Sequence, residues 1–296
     1  LPRHLGLSAL IVGMGLSLPA SVVQAQAVRR PDLPTPMASE HTVRSIVRGE
    51  RSVSGIAARW SAPQGVEHPL LPALRWAKRS LVAIEHLADY SATLAMRERV
   101  DGGLGDYEYV SVKIRHKPFS VYANILGSAK TRVREVLYVE GQNDNRMWIH
   151  RGPLLSTLSL RPDSPTAMKG RHYPLTEIGL ANLIRRLIEI GDQDANYGEC
   201  DVRYFSGAKV SGRTCTAIQV VHPVQRRNFR FYLARIFVDD QLNLPTRYES
   251  YDWPRTPGGP PDLIEEYTFL DLKLNQGFSE HDFSITNPDY RFRREP

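Results

Sequence analysis

Cysteine is scarce, with two in 296 residues, too few for the disulfide framework that holds small secreted scaffolds together. The zinc-protease pattern His-Glu-x-x-His, the phosphate-binding Gly-x-x-x-x-Gly-Lys-Ser/Thr and the nucleophile elbow Gly-x-Ser-x-Gly are all missing. His41, His68, His86, His116, His150, His172, His222 and His281 are dispersed, with no pair at helical or strand spacing. No metal site and no cofactor is therefore predicted. Lysine is rare too, seven residues against 31 arginines, and the basic residues form no long block. Beyond residue 27 no run of 18 apolar residues occurs, so no later segment reads as a membrane-spanning helix.

What is present is ordinary globular composition, 42% hydrophobic and 24% charged, which excludes wholesale disorder, collagen and coiled coil. The net charge is +6. Its tightest clusters are Arg226-Arg227-Asn228-Phe229-Arg230 and Arg291-Phe292-Arg293-Arg294. Both pair guanidinium with aromatics, as a nucleic-acid surface would. They read instead as an exposed strand face and a C-terminal tail, and nucleic acid is not expected as a partner. Arg226, Arg227 and Arg230 are the candidates for contact with an acidic protein partner or phospholipid headgroups.

Residues 1–27 read as an export signal. Arg3 and His4 give a basic start, Leu5 to Leu18 is apolar and too short to span a bilayer, and Pro19 breaks the helix. Ala25-Gln26-Ala27 supplies the small-x-small cleavage site, so cleavage is predicted after Ala27, with a periplasmic or otherwise exported mature chain. In an oxidising compartment Cys200 and Cys215 read as a bridge across a hairpin whose turn is residues 206–212. Such a bridge is worth about 3 kcal/mol. Two separately buried thiols are the alternative, since spacing does not fix pairing.

Residues 28–69 carry scattered Pro and Arg and read as an arm, and 293–296 as a tail. Between them, residues 70–292 form one predicted domain. Leu74, Ala77, Leu81, Ile84 and Ala88 mark the buried stripe of one helix. Ile178, Ala181, Ile184 and Ile188 mark a second, with Thr176 as N-cap and Gly191 as C-cap. Period-two alternation runs through 107–115, 119–125, 135–140 and 146–150, and again through 201–205, 214–221, 228–238, 245–252 and 264–274. Strands in runs with two helices predict α+β, with one large antiparallel sheet.

Catalysis finds no support. Ser206-Gly207-Ala208-Lys209 matches Ser-x-x-Lys only formally, because the glycines sit in a predicted turn. Asp239-Asp240 and Glu265-Glu266 are adjacent strand residues whose side chains point to opposite faces. An acid/base pair such as Glu140 with His150 is the remaining enzymatic alternative, a hydrolase.

Several segments in order carry a resemblance: Lys113-Ile114-Arg115-His116-Lys117-Pro118-Phe119-Ser120-Val121-Tyr122, Glu135 to Gly141, Arg171-His172-Tyr173-Pro174-Leu175-Thr176-Glu177-Ile178-Gly179-Leu180, Phe237 to Glu249, and Tyr267 to Phe283. Over residues 72–292 the chain resembles an exported bacterial family of unknown function within the LolA/LolB-like lipoprotein-carrier superfamily. The resemblance implies an incomplete, strongly curved antiparallel barrel with helices across its open face, and a concave apolar surface that takes acyl chains. A lipid or acylated protein is the partner it implies, and an envelope protein-interaction or stress-sensing module the alternative. Phe119, Val121, Tyr138, Trp148, Phe231 and Leu233 are the candidates for the concave, ligand-binding face.

Overall fold

The computed structural model describes residues 67–127, 133–152, 155–197 and 199–292. The stretch read as an export signal, the stretch read as an arm up to residue 66 and residues 293–296 lie outside the described residues. Helix α1 is Leu71–Glu85 and strand β1 Asp89–Val100, followed by β2 (Gly103–Leu104), β3 (Glu108–Arg115), β4 (Ser120–Leu126), β5 (Glu135–Val139), β6 (Met147–His150) and β7 (Leu158–Leu160). A short helix α2 (Pro165–Met168) and the long α3 (Leu180–Asp194) precede β8 (Asp201–Val210), β9 (Arg213–Val221), β10 (Leu233–Asp239), β11 (Pro245–Tyr251) and β12 (Leu263–Leu274). The strands form one open antiparallel sheet in the order β7-β6-β5-β4-β3-β1-β12-β11-β10-β9-β8, with β2 paired to β1. It is a curved sheet that does not close, with α1 and α3 lying across one face.

That inner face is built by alternation. Tyr90, Ile114, Val121 and Tyr138 are cross-strand partners on β1, β3, β4 and β5, and all are buried. Ala92, Val112 and Ala123 form the next row, Leu94, Val110 and Phe269 the one after it, and Met96, Tyr267, Tyr248, Ile236 and Ile218 a further row across β1, β12, β11, β10 and β9. Leu74, Ala77 and Ile84 of α1 and Leu180, Ile184 and Ile190 of α3 close over them. One long strand, β1, escapes the sequence pattern. Its Ala, Met, Arg and Glu favour helix, yet its inward positions 90, 92, 94 and 96 join the inner face between β3 and β12.

The second helix starts later than its stripe predicts. Leu175–Glu177 is a single 3-10 turn, so Thr176 caps nothing, and α3 begins after Gly179 at φ 106°. A Cβ on Gly179 would lie 2.7 Å from the Tyr90 hydroxyl, which accepts the Leu180 N–H at 2.7 Å. Gly191 sits inside α3, not at its end. A Cβ there would meet Leu74 Cδ2 at 2.8 Å, so this glycine sets how closely α3 approaches α1.

Two coverings occupy the outer face. Across β9, β10, β11, β12 and β1 runs a register-matched row of Gln219, Arg235, Glu249, Glu266 and Arg97. Arg235 meets Glu249 at 3.0 Å, and Arg247 meets Glu249 at 2.9 Å and Glu266 at 2.6 Å. Over β4–β6, the chain after β12 lays Phe283, Phe278 and Tyr290 on Tyr122, Leu137, Val139 and Trp148, with the Tyr122 and Tyr290 rings stacked at 3.7 Å.

Two substitutions test this account. Glu249→Ala leaves Arg235 and Arg247 buried without their shared carboxylate, and urea unfolding should show a loss of about 3 kcal/mol. Gly191→Leu forces α1 and α3 apart and should cost about 1–3 kcal/mol by the same measurement, with the far-ultraviolet spectrum retained.

Candidate functional site

A cavity of about 180 Å³ opens where the start of α3, the end of α1 and the β3–β4 turn converge. Ile114, Phe119 and Ile178 form an apolar wall, while His116, Lys117 and Arg185 stand around it. Lys117 is exposed, and among the described residues it makes no ion pair; Arg185 is paired with Glu85. His116 Nδ1 lies 3.0 Å from the Leu87 carbonyl and donates to it, so Nε2 is an acceptor, buried and without a partner. Burial holds the His116 pKa below its ordinary value, and Arg185 lowers it further against the opposing carbonyl bond, so the ring is neutral. Gly179, Ala181 and Asn182 bring the first turn of α3 to the same opening, and that turn has neither a side-chain cap nor an acidic residue. Its positive dipole end therefore faces the mouth.

A second, smaller cavity of about 60 Å³ lies beneath the helices, lined by Leu74, Ala77, Leu187, Ile190, Phe231 and Ile236 among others. A water-sized group occupies about 30 Å³, so the interior under the roof is essentially filled by side chains. In place of one large hollow, the described residues line the mouth and this gap.

Of the six apolar candidates, Phe119 lines the mouth, Val121 and Tyr138 lie on the inner face, and Phe231 borders the second cavity. Trp148 and Leu233 do not belong with them. Trp148 pairs with Leu137 on the outer face, where the chain after β12 covers it, while its neighbours Met147 and Ile149 point inward. Leu233 is likewise out of phase with Ala234, Ile236 and Val238, which face the helices. In both cases an aromatic or large residue was preferred over the strand's true phase.

The arginine cluster sits in a loop, not on a strand face, because Phe229 and Phe231 fold back onto His222 at ring distances of 4.0 and 4.9 Å. Arg226 is held by Glu199 at 2.8 Å, and Arg227 and Arg230 are exposed. The bridge between Cys200 and Cys215 is corrected to two free thiols. Strand β8 runs on through 206–210, so the turn is only Ser211-Gly212 and Cys215 pairs with Ala208. Eight residues of strand then separate the two sulfurs by about 25 Å, and they belong to cores on opposite faces. Nor do Glu140 and His150 meet. His150 pairs with Glu135, at the other end of β5, while exposed Glu140 accepts the Phe119 N–H.

One further group escaped the sequence pattern: Glu98, His172 and Glu265, whose ligand atoms lie within 4.8 Å of one another. It gathers β1, the segment before α3 and β12, so no local spacing signals it.

Comparison with known proteins gives a family and a set of distant structural likenesses. A search of the curated proteins finds no match. Among solved structures, a LolA superfamily protein from Nitrosomonas europaea is 12% identical, covering 70% of this chain and 97% of that one at a TM-score of 0.33. The lipoprotein LppX of Mycobacterium tuberculosis is 13% identical over 71% of this chain and 98% of its own, TM-score 0.35. The Pseudomonas aeruginosa MucA/MucB complex gives 18% identity, 72% of this chain and a TM-score of 0.42, with only 60% of that chain spanned. The ordered motifs are matched more directly, since residues 87–292 fit the family described as Protein of unknown function (DUF1571). The chain belongs to that family.

Proposed function

We propose that this is an exported binding protein for an amphiphile with an acyl chain, taken up at the mouth beside Phe119. The observation that carries the reading is the mouth's two-sided chemistry. An apolar wall of Ile114, Phe119 and Ile178 stands beside Lys117 and the start of α3, whose Leu180 N–H is taken by the Tyr90 hydroxyl. Such a site suits a ligand with a hydrocarbon tail and an anionic head. The resemblance of the ordered motifs to a family of unknown function within the lipoprotein-carrier superfamily supports the same ligand class.

Size sets the mechanism. A volume of 180 Å³ accommodates about six water-sized groups, enough for a head and the first methylenes. A longer chain follows the inner face toward the gap by Leu74 and Phe231, parting α1 from α3 as it goes. Each buried methylene contributes about 0.8 kcal/mol, from which the cost of loosening the helix pair is subtracted. Binding is thus reversible sequestration under a roof that closes again when empty.

Displacement of a fluorescent fatty acid tests this. Lauric or palmitic acid should bind, and Phe119→Ala should weaken binding about tenfold, equivalent to about 1.4 kcal/mol. Lys117→Glu should weaken the fatty acid but leave the corresponding fatty alcohol unchanged. No displacement at any ligand concentration below micelle formation overturns the reading. Export is checked separately: the chain expressed with residues 1–27 in a Gram-negative host should be recovered from the periplasm with Val28 as its first residue. Retention of residues 1–27 on a cytoplasmic product refutes it.

A further inference from the structure

Far along β1 from the mouth, the inner face changes character. Glu98 on β1 and Glu265 on β12 are direct cross-strand partners, and both are buried. Like charges placed opposite each other on a sheet repel, and burial removes the water that would screen them. Among the described residues, no Arg or Lys pairs with either carboxylate. Arg186 lies over the Tyr173 ring at 3.3 Å and pairs with Glu177, Arg171 pairs with Glu108, and Arg99 reaches Asp262.

His172 is the group set against this pair. Its Nε2 lies 2.9 Å from the Arg99 carbonyl and so carries a hydrogen that it donates there. Its Nδ1 is 2.7 Å from Glu265 Oε2. In the neutral ring with that tautomer, a lone pair would face a carboxylate oxygen, so something positive must lie between them. In the metal-free protein it is the proton of the hydrogen bond between Nδ1 and the Glu265 carboxylate. A divalent cation meets the same need and also neutralises Glu98.

We propose that Glu98, His172 and Glu265 bind one divalent cation of the zinc type. Two carboxylates and an imidazole are an established zinc donor set, and three protein ligands leave a fourth position for water or a ligand's oxygen. Metal–ligand distances of about 2.0–2.2 Å place tetrahedral ligand atoms about 3.4 Å apart. The three donors now lie within 4.8 Å of one another, so modest side-chain movement closes the site. The surrounding contacts are those that orient ligands. The Arg99 carbonyl fixes the ring, Tyr267 donates its hydroxyl to Glu98 and lies 3.3 Å from Glu265, and Tyr173 donates to Glu265 Oε1 at 3.1 Å. His172 is part-exposed, giving the ion a way in. Binding exchanges the Nδ1 proton of the imidazolium for the metal, so one proton is released per ion bound.

Calorimetry of Zn²⁺ binding to the chelator-treated mature chain tests this, run in two buffers of different ionisation enthalpy. One ion per chain, release of one proton near neutral pH and a raised Tm are expected. Co²⁺ should give the visible absorption of a tetrahedral N/O site. His172→Gln and Glu98→Gln should each weaken Zn²⁺ binding at least a hundredfold, and Tyr267→Phe about tenfold. Phe119→Ala, which alters the mouth, should leave Zn²⁺ affinity unchanged. The proposal is overturned by no saturable uptake at 1 mM Zn²⁺, or by uptake that persists in both ligand variants. His172 is then a purely electrostatic tie between the segment before α3 and the sheet.

Discussion

The alternation of buried charge on the outer face of the sheet is the constraint on which the rest of the molecule depends. Gln219, Arg235, Glu249, Glu266 and Arg97 stand in one cross-strand row, with Arg247 bridging Glu249 and Glu266. Buried ion pairs add little net stability compared with apolar packing, but they penalise any other arrangement heavily. A slip of one residue in β10 or β11 would drive Arg235 or Glu249 into the apolar interior and expose Ile236 or Tyr248 in exchange. The row therefore fixes which side chains form the inner surface, and so which residues any ligand meets.

Under that surface the roof is a second, softer constraint. The helices touch the sheet through apolar contacts and a few hydrogen bonds, such as Trp76 Nε1 donating to Asn243 at 2.8 Å and the Tyr90 hydroxyl accepting from Leu180. Because α3 begins only at Leu180, the segment Leu175–Gly179 leaves the corner beside Phe119 uncovered, and this is where the mouth forms. A filled interior makes binding and roof stability two sides of one equilibrium: whatever tightens α1 against α3 also weakens the affinity for a long chain.

Much of the architecture was legible in the residues. In the helical stripes Leu74, Ala77, Ile84, Ala181 and Ile184 bury as the spacing demands, whereas Ala88 lies past the end of α1 and is exposed and Ile178 precedes α3; the hairpin strands alternate as read. The failures share a cause, in that local pattern carries no information about long-range partners. Strand β1 has helix-favouring side chains and is a strand only because β3 and β12 flank it. Thr176 is a good cap in isolation, but Tyr90 supplies the acceptor from another element. Trp148 and Leu233 look like ligand contacts by size, and their phase excludes them. The spacing of Cys200 and Cys215 suggests a hairpin turn at Gly207, but the strand absorbs that glycine as a register irregularity between Phe205 and Ala208 and runs on.

The two ends of the inner face are chemically opposed, and the opposition follows from one strand. Tyr90 and Glu98 both point inward from β1, eight residues and about 26 Å apart. At the Tyr90 end Lys117 stands beside a Glu85–Arg185 ion pair, a neutral histidine and a helix start, so the one unpaired charge among the described residues there is positive. At the Glu98 end two carboxylates dominate, and among the described residues His172 is the cationic group set against them. On the proposed function, an amphiphile with an anionic head would have a preferred direction along the face, entering at Phe119 with its tail toward Phe231. Tyr248 and Tyr267, stacked at 6.5 Å, stand between this apolar path and the carboxylates. With their rings on the apolar side and the Tyr267 hydroxyl on the Glu98 side, they let one curved surface carry an apolar stretch and a carboxylate pair side by side.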